Sequence, residues 1–373
     1  MSRVQCVDVH RVPCSGPADL SGVRALVESG ALRPQDIVAV MGKTEGNGCV
    51  NDFTRDFAST AWCHFLSPYL GCAPEAVHHR VALVMSGGTE GVLSPHFTVF
   101  GRRWVEEAPE VGAAKRLVLG IAHTRAFAPE EIGRMAHIEA TALAVQAAMA
   151  NAGLSDPADV HFVQIKCPLL TSAKVQDALR RGVQPVTQDT YHSMGYSRGA
   201  SALGVALALG EVSAHALSDA VVLHDFALYS SRASASAGIE LEGNVVIVLG
   251  ELAGAASDLA IAHTVMADAI DAQAVVQMLH SAFALSGQAA GARLVNLLAK
   301  AEASPSGAVR GARHTMLNDS DINATRHARA AVGAVLASVV GSTSLYVSGG
   351  AEHQGPAGGG PVAAIVRVER GHV

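Results

Sequence analysis

The sequence predicts an α/β (α+β) fold of three structurally similar repeats whose sheets face a common axis. A Ser-small-Gly-x-Glu string occurs three times in the 373 residues, an apolar run typical of a β-strand lies beside each copy, and an Ala-rich helical stretch precedes each copy. Internal repetition of this kind indicates repeated supersecondary units, and sheets facing one axis bury all three sets of strands. The three strings begin at Ser86, Ser236 and Ser348.

A lysine at the end of an apolar run recurs upstream of each string. DIVAVMGK ends at Lys43, DVHFVQIK at Lys166 and ARLVNLLAK at Lys300. A lysine after a strand is usually solvated, and a Ser-Gly-Gly is more often a tight turn than a nucleophile. Duplication copies structural residues as well as functional ones. Here, however, the polar and charged residues persist while the intervening sequence has drifted, which favours a functional role.

The helical stretches between lysine and serine open with a hydroxyl residue and an arginine. These pairs are Thr54-Arg55, Ser197-Arg198 and Thr325-Arg326. Each hydroxyl is predicted to cap its helix. Each arginine supplies a planar fork of donors suited to a flat, oxygen-rich ligand.

The repeat boundaries follow from where these patterns restart. We predict repeats over residues 1–104, 112–250 and 257–373, joined by polar or Gly-rich segments. Within the second repeat, the 3,4 spacing of apolar residues predicts a long helix from Pro129 to Ala152.

Composition favours a small-molecule partner in a reducing compartment. The net charge of −6 and the absence of a Lys/Arg run argue against nucleic-acid binding. No apolar run reaches the length of a membrane span, and no signal-peptide pattern opens the chain, so a cytoplasmic location is expected. The six cysteines form no CxxC pair and are expected to be buried thiols.

The Gly42-Lys43-Thr44 string resembles the end of a nucleotide-binding P-loop. Ile37 stands where that motif has its first glycine. Without it the phosphate cradle cannot form in the usual way, so the nucleotide interpretation is rejected.

Longer strings along nearly the whole chain resemble the cyanuric acid hydrolase and barbiturase family. They include DIVAVMGKTEGNG, VMSGGTEGVLSPH, MGYSRGASALG, SASAGIELE, HTMLNDSDIN and YVSGGAEHQGPAGGGP. The resemblance implies a three-repeat fold with one active site on a pseudo-threefold axis, a homotetramer, and hydrolytic opening of a cyclic imide-like ring without a catalytic cofactor.

The resemblance also implies which residues perform the reaction. It points to Ser236 as nucleophile and Lys166 as its base, and a serine hydroxyl needs such a base to react at neutral pH. Ser230, Ser231 and Ser234 are nearby rivals, but Ser236 aligns with the other two strings. The predicted substrate-binding residues are Lys43, Arg55, Ser86, Gly87, Arg198, Ala237, Lys300, Arg326, Ser348 and Gly349.

The resemblance further implies a structural cation, Mg²⁺ or Ca²⁺, held largely by backbone carbonyls, which suits hard oxygen-seeking ions. A plain glycine-rich loop is the alternative for that segment. The implied ligands are Glu302, Ala351, Gln354, Gly355, Pro356 and Gly359.

Three functions stay open at this stage. The first is opening of cyanuric acid to carboxybiuret, which loses CO2 to give biuret, and HTMLNDSDIN with the complete third set of residues favours it. The second is a barbiturase, which opens a ring that carries CH2 where cyanuric acid carries N–H. A non-catalytic binder of planar heterocycles is the third, but it would need no lysine and serine pairs.

Overall fold

Three four-stranded sheets organise the chain in the computed structural model, which describes residues 2–107 and 114–368. Each predicted repeat contributes one sheet. Within each sheet the first strand pairs with the last, the last with the second, and the second with the third. The second and third strands are parallel to each other, and the other neighbours are antiparallel.

The first repeat places two helices between its strands. Its second strand reads IVAVMGKT, an apolar run whose side chains are almost all buried, as expected for a strand covered on both faces. The elements are β1 (Ser2–Pro13), α1 (Ser21–Glu28), β2 (Ile37–Thr44), α2 (Phe53–Leu70), β3 (Ala82–Gly87) and β4 (His96–Glu107).

The second repeat has the same sheet order with an additional helix. The elements are β5 (Lys115–His123), α3 (Met135–Ala152), β6 (Val160–Cys167), α4 (Ser172–Arg180), α5 (Thr190–Ala208), β7 (Ala233–Ala237) and β8 (Val245–Ala253).

The third repeat again has this order and carries a small hairpin between its second strand and its last helix. The elements are β9 (Leu259–Met266), α6 (Ala272–Phe283), α7 (Gln288–Arg293), β10 (Leu294–Ala301), β11 (Ala308–Val309), β12 (Ala312–Arg313), α8 (Ala324–Val340), β13 (Tyr346–Gly349) and β14 (Gly360–Arg367).

A shared apolar core lies where the three sheets meet. Phe100 of the first sheet, Phe162 of the second and Tyr346 of the third belong to one buried cluster. Each sheet packs its other face against its own helices, which forms a separate apolar cluster in each repeat. The sheets are therefore inside and the helices outside, which directs the strand ends toward a common axis.

Two local predictions about helix starts are wrong. The side chains that cap α2, α5 and α8 belong to Asp52, Asp189 and Asn323, and not to the hydroxyl residues beside the arginines. Carboxylate and amide oxygens are as effective as hydroxyls at this position. In the second repeat, α3 begins at Met135 and not at the predicted Pro129, because residues 129–134 form turns before the helix.

The predicted repeat boundaries each enclose one sheet almost entirely. Strand β4 continues to Glu107 and β8 to Ala253, slightly beyond the predicted ends at 104 and 250. The predicted start of the second repeat at residue 112 lies outside the described residues. Within the described ranges, no helix is long and apolar enough to span a membrane.

Candidate active site

Parallel strand pairing brings each predicted lysine beside its serine. In β2 and β3 the register pairs Lys43 with Ser86. The same register pairs Lys166 with Ser236 in β6 and β7. In β10 and β13 it pairs Lys300 with Ser348. The three sheets therefore present equivalent Lys/Ser pairs.

The three lysines are almost completely buried, with 0 to 1 % of each residue exposed. Lys43 Nζ donates to Ser86 Oγ and to the Gly87 carbonyl, both at 3.3 Å. Lys300 Nζ donates to Ser348 Oγ at 3.3 Å. Lys300 Nζ also donates to the carbonyls of Ala235 at 2.9 Å and Gly349 at 3.0 Å.

Lys166 has different partners from the other two lysines. Its Nζ donates to the Met85 carbonyl at 2.9 Å and to the Ala237 carbonyl at 3.4 Å. It also lies 3.5 Å from Glu240 Oε1. Lys166 is therefore the member of the set that faces a carboxylate.

Burial lowers the pKa of all three lysines, because the charged form loses its hydration. The pKa of Lys43 falls well below its ordinary value, with Arg329 as the next cause. Burial, with a further contribution from Arg198, lowers the pKa of Lys300 to about 7. The pKa of Lys166 is also lowered by burial, although Glu240 offsets part of the shift. Each amine thus loses its proton more readily than the amine of an exposed lysine.

The serines of the three repeats converge. Ser86 Oγ donates to Ser348 Oγ at 3.3 Å, and the hydroxyls of Ser236 and Ser348 lie 3.1 Å apart. Together they line one narrow cavity, so the three sheets form a single site. The residues lining this cavity are Gly48, Arg55, Ser86, Gly87, Lys166, Met194, Arg198, Ser236, Ala237, Arg329, Ser348 and Gly349.

Two of the three predicted arginines, Arg55 and Arg198, line this cavity. The third helix contributes Arg329, which lies three residues after the predicted Arg326 and so almost one helical turn further along α8. Arg326 is half-buried and does not line the cavity. The expectation for Arg326 is corrected accordingly: the structure brings Arg329 to the position expected for it.

Two of these arginines are held by a glutamate of a different repeat. Arg198 donates to Glu352 at 2.8 and 2.5 Å. Arg329 donates to Glu90 at 2.7 and 2.5 Å. Such two-point contacts fix the plane of the guanidinium. The glutamates end the repeated Ser-small-Gly-x-Glu strings, so the sequence contained the signal, although the prediction gave them no role.

Arg55 is held by backbone oxygens instead. Its guanidinium donates to the Ala237 carbonyl at 2.9 Å and to the Cys49 carbonyl at 2.6 Å. Asp52 lies 3.8 Å from Arg55 Nε. The arrangement of arginines thus departs from threefold symmetry at the junction of the first and second repeats.

Three of the six implied cation-binding residues, Glu302, Ala351 and Gly355, line a second cavity of about 100 Å³. Glu302 accepts a hydrogen bond from the Ala351 N–H. Burial, together with the charge of Glu352, raises the pKa of Glu302 to about 7. Among residues 2–107 and 114–368, no three Asp, Glu, His or Cys side chains are grouped to hold a metal.

Other members of that implied set have protein partners. The side chain of Gln354 accepts from the Ala235 N–H at 2.6 Å and thereby links the third repeat to the second. The Pro356 carbonyl accepts from the Gly359 N–H at 2.9 Å. The segment is thus an ordered turn whose side-chain ligand for a cation would be Glu302.

Comparison with known proteins identifies the family of this chain. A sequence profile described as amidohydrolase ring-opening protein matches residues 8–367. The chain belongs to this family. The resemblance predicted from the sequence strings is thereby confirmed, and the protein is an amidohydrolase that acts on cyclic amides.

Individual relatives extend the similarity over nearly the whole chain. A cyanuric acid amidohydrolase of Bradyrhizobium diazoefficiens is 60% identical over 98% of this chain and 99% of its own. Another, from Pseudomonas sp. (strain ADP), is 61% identical over 97% of this chain and 99% of its own.

Solved structures agree with the fold. A cyanuric acid hydrolase structure superposes with a TM-score of 0.94 at 60% identity and covers 98% of this chain and 100% of its own. A cyanuric acid hydrolase from A. caulinodans gives a TM-score of 0.90 at 54% identity, with 98% and 99% covered. The predicted α/β fold of concatenated repeats is confirmed.

Proposed function

We propose that this enzyme is a cyanuric acid amidohydrolase that opens the ring with Ser236 as nucleophile and Lys166 as base. The observation that supports the proposal is the convergence of three serines and three arginines on one cavity that Lys166 also lines. Each of these serines is paired with a lysine on the neighbouring strand. Cyanuric acid is a flat ring that repeats a carbonyl and an N–H three times, so threefold donor sets match the threefold ring.

The arginines and backbone groups would bind the ring. Arg198 and Arg329, each oriented by a glutamate, offer forked donors to ring oxygens. The backbone N–H groups beside the three serines can approach a carbonyl closely, because Gly87, Ala237 and Gly349 have small or no side chains.

In the first chemical step, Ser236 Oγ bonds to a ring carbonyl carbon and its proton passes to Lys166 Nζ. The carbonyl oxygen becomes an oxyanion, which nearby donors stabilise by about 3 to 4 kcal/mol each in comparable acyl-transfer sites. The ring C–N bond then breaks, and the leaving nitrogen takes the proton from Lys166. The substrate is now esterified to Ser236.

In the second step, water replaces the serine as nucleophile and Lys166 again accepts the proton. The Ser236 ester breaks and Ser236 regains its proton. Carboxybiuret is released and loses CO2 to give biuret. Water is the other reactant, and the steps use neither a nucleotide nor a redox cofactor.

The negative charge of the carboxylates at the turn near Glu302 suits a structural cation. Glu302 and Glu352 are close enough for each charge to affect the other, and Arg198 and Lys300 supply positive charge nearby. Mg²⁺ or Ca²⁺ at Glu302 and nearby carbonyls would compensate the negative charge of the carboxylates and stabilise the turn.

We also propose that the enzyme is homotetrameric and cytoplasmic. Light scattering after size-exclusion chromatography tests the tetramer.

The decisive assay compares two substrates. Purified enzyme incubated separately with cyanuric acid and with barbituric acid should convert the former to biuret and CO2. Turnover of barbituric acid without turnover of cyanuric acid would instead identify a barbiturase. Binding of either ring without product would identify a non-catalytic binder.

A further inference from the structure

The glutamate of the second repeat departs from the pattern of its two copies. Glu90 and Glu352 each hold an arginine of another repeat. By the same symmetry Glu240 would hold Arg55. Its Oε1 instead lies 3.5 Å from Lys166 Nζ, and no such ion pair is formed by Lys43 or Lys300 in the part of the chain that the structure describes.

A difference in backbone conformation accounts for this departure. Gly88 and Gly350 have φ of +102° and +76°, and a Cβ at either would lie 2.4 or 2.6 Å from the Nε of the adjacent arginine. The equivalent Gly238 is not in the left-handed region. A Cβ there would lie 2.4 Å from both carboxylate oxygens of Glu240. The loop after Ser236 therefore folds Glu240 back over Gly238 and toward Lys166.

We propose that Glu240 is the positioning residue that makes the second repeat's pair the working one, because its carboxylate accepts the proton that Lys166 must release before Lys166 can act as a base. This inference rests on the proposed function, in which Lys166 is the base for Ser236. Lys43 and Lys300 contact hydroxyl and carbonyl groups, which do not accept a proton from an ammonium ion. The charges of Glu90 and Glu352 also act on these two lysines, but each of these carboxylates is bound by an arginine.

The proton transfer balances within the pair. In the resting site the pair is an ammonium ion and a carboxylate. One proton moves from Lys166 Nζ to Glu240 Oε1, leaving a neutral amine and a carboxylic acid with no change in net charge. The amine then takes the Ser236 proton as described above and returns it to the leaving nitrogen. After turnover the Glu240 proton goes back to Lys166.

Burial favours this exchange, whereas the charges of the pair and, at Glu240, that of Arg55 oppose it. Burial lowers the pKa of Lys166, and a low-dielectric site reduces the advantage of an ion pair over a neutral pair. Burial raises the pKa of Glu240, but Lys166 and Arg55 outweigh it and the net direction is downward. On its other side Glu240 lines a cavity of about 300 Å³ with Asp56, His78, His79 and His123, and its side chain is 31 % exposed.

The test is the pH dependence of kcat in Glu240→Gln, measured with saturating cyanuric acid from pH 5 to 10. In the unmodified enzyme, the pair stays competent until Glu240 itself is protonated, and the lowered pKa of Glu240 moves that protonation to lower pH. In the variant, Lys166 has no proton acceptor and must lose its proton to solvent. The acidic limb of the profile, over which kcat falls as the pH decreases, should therefore move to higher pH. Within this limb kcat should fall about tenfold per pH unit, and it should recover at higher pH.

The direction of the shift separates the alternatives. If Glu240 only raised the pKa of Lys166 through its charge, the variant's limb would move to lower pH. That result, an unchanged profile, or a folded variant inactive up to pH 10 would each overturn the proposal. Glu240→Ala should show the same upward shift, and circular dichroism checks the fold of both variants.

Glu90→Gln is the matched control. It should raise KM by loosening Arg329 while leaving the position of the acidic limb unchanged. Ionisation of cyanuric acid affects this control and the Glu240 variant equally. Lys166→Ala tests the proposed function separately. If Lys166→Ala is inactive and Glu240→Gln keeps the ordinary profile, only the inference about Glu240 fails; if Lys166→Ala stays active, the assignment of the base fails.

Discussion

Replacing Arg329 by lysine tests whether the third ring-binding arginine is Arg329 or the sequence-predicted Arg326. Arg329 lines the cavity and donates two hydrogen bonds to Glu90, with only 4 % of its side chain exposed. Lysine retains the charge but cannot make both contacts at once. Loss of one charge-assisted hydrogen bond costs about 1.5 to 3 kcal/mol, which corresponds to a decrease in kcat/KM of about 10- to 150-fold.

The assay is steady-state release of biuret from cyanuric acid, with circular dichroism to check the fold. Arg326→Lys is the matched control, because it makes the same change on the same helix at a half-buried position outside the cavity. Its kcat/KM should stay within about twofold of the unmodified enzyme, since changes away from such contacts usually have small effects. Equal or reversed losses in the two variants would refute the placement of Arg329 at the substrate.

Three further predictions concern stability and charge. Gly88→Ala forces a side chain into a φ of +102° and against Arg329, so urea denaturation should show a loss of about 1 to 3 kcal/mol; an unchanged midpoint would contradict this. The pKa of Lys300, lowered to about 7, means that the unfolded chain binds more protons between pH 7 and 10.5, so stability from this group rises with pH across that window. Lys300→Met should therefore raise Tm at pH 7, by an amount that shrinks toward pH 10.5; a gain that grows with pH would contradict it. A chelator should lower the Tm of the enzyme but not that of Glu302→Gln, and equal shifts in both would argue against a cation at that turn.

The repeated lysines and serines could be predicted because each lies near the end of one of two paired strands. Once two parallel strands lie side by side, the register that pairs Lys43 with Ser86 also pairs the corresponding residues in the other repeats. The Gly42-Lys43-Thr44 string lies inside β2, in agreement with the rejection of a P-loop, whose lysine would follow a loop.

The third arginine could not be identified from short strings. The cavity-lining arginines lie at different distances from their helix caps: Arg55 in the first turn after Asp52, and Arg198 and Arg329 further along their helices. Alignment on a hydroxyl-arginine pair assumes equal distances and therefore selected Arg326. The position of a helix relative to the axis depends on packing, which a local pattern does not contain.

The departure from symmetry was only partly visible in the sequence. Ala237, which replaces a glycine of the other strings, indicated that the second repeat differs. It did not indicate that Glu240 would turn toward Lys166, because this depends on the φ of Gly238 and on the space around it. Such backbone choices are set by tertiary contacts.

The most direct test of the account compares Ser86→Ala, Ser236→Ala and Ser348→Ala in turnover and in binding of cyanuric acid. All three serines line the same cavity, so each variant removes one hydroxyl from an equivalent position. We expect Ser236→Ala to bind the ring in titration calorimetry but to form no biuret, and the other two to retain residual turnover with weaker binding. Substantial turnover by Ser236→Ala together with an inert Ser86→Ala would contradict the account and assign the chemistry to Ser86 and Lys43.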